Sequence, residues 1–175
     1  MLIKPLLFLS AVSLTGCAGI DVNNYQAEQP ELKMEAYFNG QLDAWGMFQK
    51  RNGEVVKRFK VVIDAEWNGD KGVLDERFTY SDGTTQRRVW RLTRIGDGLY
   101  QGEADDVVGV AEGRVSGNAL HWVYTLKLPV DGKEYEVAFD DWMYLQEDGV
   151  MFNRSVMKKF GFRLGEVTLF FRKRS

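Results

Sequence analysis

Residues 120–143 read "LHWVYTLKLPVDGKEYEVAFDDWM", an alternating run broken once, at Asp131-Gly132. An Asp-Gly pair between alternating segments favours a two-residue hairpin loop, because both loop positions take positive φ. Counting outward from such a loop fixes the register. Leu120, Trp122, Tyr124, Leu126 and Leu128 then share a face with Tyr135, Val137, Phe139, Asp141 and Met143. His121, Val123, Thr125 and Lys127 share the other with Glu136, Ala138, Asp140 and Trp142, and Lys127 falls opposite Glu136, a favourable cross-strand charge pair. A slip of one residue would exchange the two faces, so loop length decides what lies inside.

The same count applies at three more pairs. Around Asn52-Gly53 it places Phe38, Gly40, Leu42, Ala44, Gly46 and Phe48 with Phe59, Val61, Ile63, Ala65 and Trp67 on the inner face. Around Asp148-Gly149 the inner face continues as Met143 and Leu145 beside Phe152, Arg154 and Val156. Around Asp82-Gly83 the preferred inner set is Leu74, Glu76, Phe78 and Tyr80 with Arg87, Val89 and Arg91; the opposite set holds Arg88, Trp90 and Leu92. Stretches 99–105, 107–115 and 165–172 read as further strands, and no stretch has convincing helical periodicity. About ten strands joined by short turns would leave two costly edges unless the sheet closes. The expected fold is all-β, an antiparallel up-and-down, lipocalin-like β-barrel over residues 34–175, with a two-sheet sandwich as the alternative.

These registers send charges inward. Asp141 lies opposite Trp122, with Arg154 diagonal to it; Glu76 lies diagonal to both Arg87 and Arg91. A buried charge needs a partner and hydrogen bonds. One reading is a pair of internal ion networks that fix register. The other makes an arginine the anchor for a ligand carboxylate or phosphate, with its apolar tail among Trp67, Trp122, Phe139 and Phe152. Gly40, Ala44 and Gly46 would leave room for that tail, or simply permit a strand bend. A competing expectation is an interaction module whose outward Trp45, Trp90 and Trp142 meet a protein partner.

Catalytic signals are thin. The single histidine, His121, falls outward, and one histidine with one cysteine makes no typical zinc site. Asp105-Asp106 and Asp140-Asp141 are strand neighbours that point to opposite faces. No nucleophile elbow, phosphate loop or calcium loop occurs. The residues therefore nominate no catalytic group, metal or cofactor, and an enzyme is not expected.

At the N-terminus, Lys4, the apolar run Pro5–Leu14 and the small residues Thr15-Gly16 follow the plan of a secretory signal peptide over residues 1–16. The apolar run is too short to span a bilayer, which needs about 20 helical residues. Leu14-Thr15-Gly16-Cys17 resembles the lipobox of bacterial lipoproteins. The resemblance implies that Cys17, the only cysteine, carries a diacylglyceryl thioether and an acylated amino group. Several acyl chains anchor far more firmly than one. Ala18 after the cysteine, by the same analogy, implies the outer membrane of a Gram-negative envelope. Residues 17–33, polar beyond the cysteine and holding Asn23, Asn24 and Pro30, read as a tether. With a formal charge of −2 over 175 residues there is no electrostatic case for nucleic acid.

Five stretches together, "YFNGQLDAWGMFQKRNGEVVKRF", "FTYSDGTTQRRVWRL", "GNALHWVYTLKLPVDGKEY", "DDWMYLQEDGVMFNRSVMKKFG" and "GEVTLFFRK", resemble domain-of-unknown-function family 3833, uncharacterised bacterial lipoproteins. The resemblance implies a lipocalin-like barrel and an envelope location, and no established activity from which catalytic residues could be carried over. An association of the family with fatty-acid-modifying enzymes tilts the expected ligand towards a fatty-acyl or lipid molecule.

Overall fold

The computed structural model describes residues 19–130 and 132–174. Ten antiparallel strands form one closed barrel: β1 (Gly40–Lys50), β2 (Val55–Asn68), β3 (Lys71–Tyr80), β4 (Thr85–Gly96), β5 (Leu99–Glu103), β6 (Ala111–Ser116), β7 (Ala119–Val130), β8 (Lys133–Leu145), β9 (Val150–Lys159) and β10 (Phe162–Lys173). Each strand pairs with its neighbours in sequence, and β1 closes the ring against β10 from Leu42–Lys173 to Lys50–Gly165. The expected up-and-down barrel is therefore the fold, and the sandwich is excluded.

Loop length settles which side chains enter. At Asp131-Gly132 the register is the expected one: Val130 pairs with Lys133, Lys127 with Glu136 and Trp122 with Asp141. At Asn52-Gly53 the loop is one residue longer, with Lys50 N–H bonded to the Glu54 carbonyl. A bulge between Phe48 and Gln49 absorbs the extra residue, so Gly46 still pairs with Phe59 and the inner face survives.

The other two hairpins are displaced by one residue and stay displaced. Tyr80 N–H bonds the Thr84 carbonyl around a three-residue loop, Ser81-Asp82-Gly83, and Glu76 then pairs with Arg88 rather than Val89. The Asp82 carboxylate accepts both the Thr84 N–H (3.0 Å) and the Thr84 hydroxyl (2.6 Å), and Gly83 takes φ +84°. This local turn competes with the two-residue loop and wins. Gln86, Arg88, Trp90 and Leu92 consequently face in, while Arg87 and Arg91 face out. At Asp148-Gly149, Gln146 N–H bonds the Val150 carbonyl across another three-residue loop. Met151, Asn153 and Ser155 are inward in consequence, and Phe152 and Arg154 are outward.

One barrel end is closed by the chain that precedes β1. Residues 19–33, expected as a tether, lie against the barrel: Val22 and Leu32 are buried, and Leu32 N–H bonds the Gly117 carbonyl. Gly117, at φ +54°, has the Tyr25 carbonyl pressed against the side where a Cβ would stand. A single helical turn, α1 (Met34–Tyr37), follows, and Phe38 packs edge-on against Phe171 of β10.

Gly40 is exposed with open space beside it, whereas other glycines of the inner face hold aromatic rings. Gly46 lies under the Phe59 ring, and Gly113 under the Trp122 ring. Trp122 in turn stands edge-on to Trp90, so a ring pushed away from Gly113 must disturb that contact or enter the cavity. Gly113→Ala is expected to cost about 1–3 kcal/mol of stability by overpacking, as read by urea denaturation. A variant as stable as wild type would show that the ring relocates freely.

Candidate functional site

The barrel interior holds a cavity of about 160 Å³. Its floor includes Met34 and Phe38, beside α1. Its wall is mostly apolar and aromatic: Phe59, Ile63, Trp90, Trp122 and Phe139 are buried and contribute to it. Trp90 meets both Trp122 and Tyr124 edge-on, and Tyr124 stacks on Phe139 at 5.1 Å. At the far end, the inward side chains Phe48, Tyr80 and Leu128 are only half-buried and Gln86 is exposed. There the interior meets solvent.

A polar cluster interrupts this lining. Arg88 of β4 donates from Nε (3.0 Å) and Nη2 (2.7 Å) to Asp106, which follows β5. Its Nη1 lies 4.0 Å from Glu76 of β3; both side chains are only 13% exposed. Burial works against the Arg88 charge, but Asp106 and Glu76 outweigh it and hold the guanidinium firmly protonated. Across the cavity, Asp141 of β8 is 5% exposed and accepts hydrogen bonds from the hydroxyls of Tyr124 (3.1 Å) and Ser155. Asn153 of β9 lies beside it, near enough to favour the carboxylate but out of hydrogen-bond geometry. Both Asn153 amide atoms are therefore buried without a partner.

The carboxyls respond to this setting. Burial pushes Glu76 up to about 7, against the opposing pull of Arg88, and the Asp141 charge adds to the rise. Burial pushes Asp141 up to about 6, opposed by the hydroxyls of Ser155 and Tyr124, which donate to it, and by the nearby Asn153 amide, which does not reach hydrogen-bond geometry. Burial, reinforced by Asp141, drives the Tyr124 phenol well above its usual range. Carboxyls poised near neutrality in a cavity are a recognised mark of functional sites.

Of the residues nominated from sequence, Glu76, Trp122, Phe139 and Asp141 line the cavity. Trp67 points towards the floor end, where it stands edge-on to Tyr100, and is not part of the lining. Arg87, Arg91 and Arg154 are corrected to the outer surface, where they pair with Asp75, Asp105 and Glu166. Phe152 also lies outside, against Phe170. Trp90 moves the other way, from an outward tryptophan to the buried wall. His121 is outward as expected, stacked on Trp142 and 2.9 Å from Asp140. Cys17 and Ala18 lie outside the described residues. The residues missed are Arg88, Asn153 and Ser155, all displaced by loop length, and Asp106, which reaches the cluster from a loop.

Residues 11–173 match the family model described as protein of unknown function (DUF3833), and the chain belongs to that family. No curated protein shows significant sequence similarity to it. Among solved structures, the S-type phycobiliprotein lyase CPES from Guillardia theta is similar in fold, with a TM-score of 0.53 over 82% of this chain and 94% of that one. At 10% identity the likeness is one of architecture, a lipocalin-like barrel.

The raised carboxyls set a direction for pH. In the unfolded chain Asp and Glu titrate near ~4. Between there and about 6 to 7 the folded state holds the extra protons, so stability falls as pH rises and levels off above that range. Each unit of difference corresponds to about 1.4 kcal/mol. Surface carboxylates held low by arginine partners, such as Asp64 and Asp75, lose their contribution only in stronger acid. Urea denaturation from about pH 5 to about pH 8 should show wild type losing stability and Asp141→Asn losing less. Equal slopes would mean that Asp141 ionises in the fold without cost.

Proposed function

We propose that this chain is a lipid-anchored protein of the bacterial cell envelope that holds an amphiphilic small molecule inside its barrel. The diacylglyceryl group on Cys17 ties it to the outer membrane, and the ligand's apolar part, of acyl or similar slender form, lies along the aromatic wall. The observation that carries this reading is a largely apolar cavity, open towards one end, with a few polar groups converging inside it. That combination is the usual character of a small-molecule site. The volume limits the occupant. A cavity of about 150 Å³ takes a benzene-sized ring, and drug-sized sites run to roughly 300–1,000 Å³. About 160 Å³ suits one slender chain or a small ring, with any remainder leaving through the open end.

Native mass spectrometry of protein extracted gently from membranes is expected to show one retained small molecule. Protein that is empty in every preparation would overturn the binding reading. Cys17→Ser is expected to move the protein from the membrane to the soluble fraction and to remove the acyl mass. Unchanged membrane retention would remove the anchor from the proposal.

A second reading has one observation in its favour. Glu76 and Asp141 are poised near neutrality, as a general acid or base requires. Turnover of a candidate ligand that Asp141→Asn abolishes, with the fold intact, would establish it.

A further inference from the structure

Resting on the reading of the barrel as a small-molecule binder, we propose that the ligand's polar end is a protonated amine, held between Glu76, Asp141 and Asn153, and not a carboxylate or phosphate held by an arginine.

The charge arrangement excludes the anion first. Among the described residues, the charged side chains lining the cavity are Glu76, Arg88 and Asp141. The one cation is already gripped on two nitrogens by Asp106, and its third nitrogen is turned towards Glu76. Above the range in which Glu76 and Asp141 ionise, an anionic head group would be a fourth negative charge around a single guanidinium, beside Glu76, Asp106 and Asp141. In a site screened from water such like-charge crowding is costly.

The second observation is independent of charge. Among the described residues Asp141 has no cationic partner, and its two hydrogen-bond donors are neutral hydroxyls. Beside it, Asn153 is 2% exposed, lines the cavity and leaves both amide atoms unpartnered. Buried amides are nearly always satisfied, and an orphaned one is costly. An ammonium group resolves both deficits. It gives Asp141 the missing positive charge and donates to the Asn153 carbonyl oxygen, while the Asn153 N–H is free to turn to the carboxylate. The geometry favours an organic cation over a metal ion. Among the described residues no three acidic, histidine or cysteine side chains converge as ligands, and the walls above and below are apolar.

The groups that face the pair divide: Arg88 and Trp90 favour an ionised Glu76 while Asp106 and Asp141 oppose it, and Ser155, Tyr124 and Asn153 favour an ionised Asp141 while Asp140 opposes it. Glu76 faces Arg88 and Trp90 of β4, Asp106 beyond β5, and Asp141. Asp141 faces Tyr124 of β7 and Asn153 and Ser155 of β9, with Asp140 next to it in the chain. A bound amine favours the ionised carboxyls, so its affinity rises as pH rises through about 6 to 7.

The test titrates the membrane-extracted protein with octylamine, octanoate and octanol, followed by calorimetry and by the fluorescence of the wall tryptophans, at about pH 5 and about pH 8. Octylamine is expected to bind at least about tenfold tighter than octanol at the higher pH, to exceed octanoate there, and to lose most of both advantages at the lower. Asp141→Asn, or Glu76→Gln should the first fail to fold, is expected to erase the preference for amine over alcohol. Octanoate binding as well as or better than octylamine would overturn the amine assignment and leave the small-molecule reading standing. Failure of all three to bind would overturn that reading, and this inference with it.

Discussion

The pairing of β1 with β10 is the contact on which the rest of the molecule depends. Without it the meander would end in two long edges with unpaired backbone groups. With it, every second residue of ten strands is committed to one enclosed space whose width is set by strand number and tilt. A polar residue at an inward position cannot escape by flattening or fraying of the sheet. Glu76, Arg88, Asp141 and Asn153 meet because closure leaves them nowhere else to go, and the fold tolerates them only as far as they satisfy one another or something that enters.

The two faces of the sheet treat charge differently. Outside, Asp64, Arg77, Asp75 and Arg87 form a ladder across β2, β3 and β4, in which each pair is solvated and contributes little. Inside, the same residue types are few and shielded, so each unmet bond or uncompensated charge has consequences. Arg88 is largely answered by Asp106, whereas Asp141 and Asn153 are answered only by neutral groups or by none. The imbalance sits on the β7–β8–β9 side of the cavity.

Much of this was legible in the residues. Alternation and Gly-containing turns were enough for strand number, direction and closure, and the Asp131-Gly132 hairpin placed Asp141 and Trp122 inside. The interior failed to read correctly wherever a loop held three residues instead of two. At Asn52-Gly53 a bulge restored the pattern; at Asp82-Gly83 and Asp148-Gly149 nothing did, and a one-residue displacement exchanged Arg87 for Arg88 and Arg154 for Asn153. One signal was available. Counting from a three-residue loop puts Trp90 and Leu92 inside in place of Arg87 and Arg91, which buries far more apolar surface. Thr84, whose hydroxyl and N–H both bind Asp82, is the local reason for that loop. The reach of Asp106 into the cluster from a loop carried no periodic signal at all.

The run from Val22 to Phe38 ends with Met34 and Phe38 in the bottom of the cavity, and the same run is held to the outer wall at Tyr25 and to the β6–β7 turn at Leu32. Backbone that lies on the outside of the molecule is thus continuous, within a dozen or so residues, with the innermost surface a ligand would touch. Whatever displaces this strap from the barrel therefore also removes part of the chamber's base.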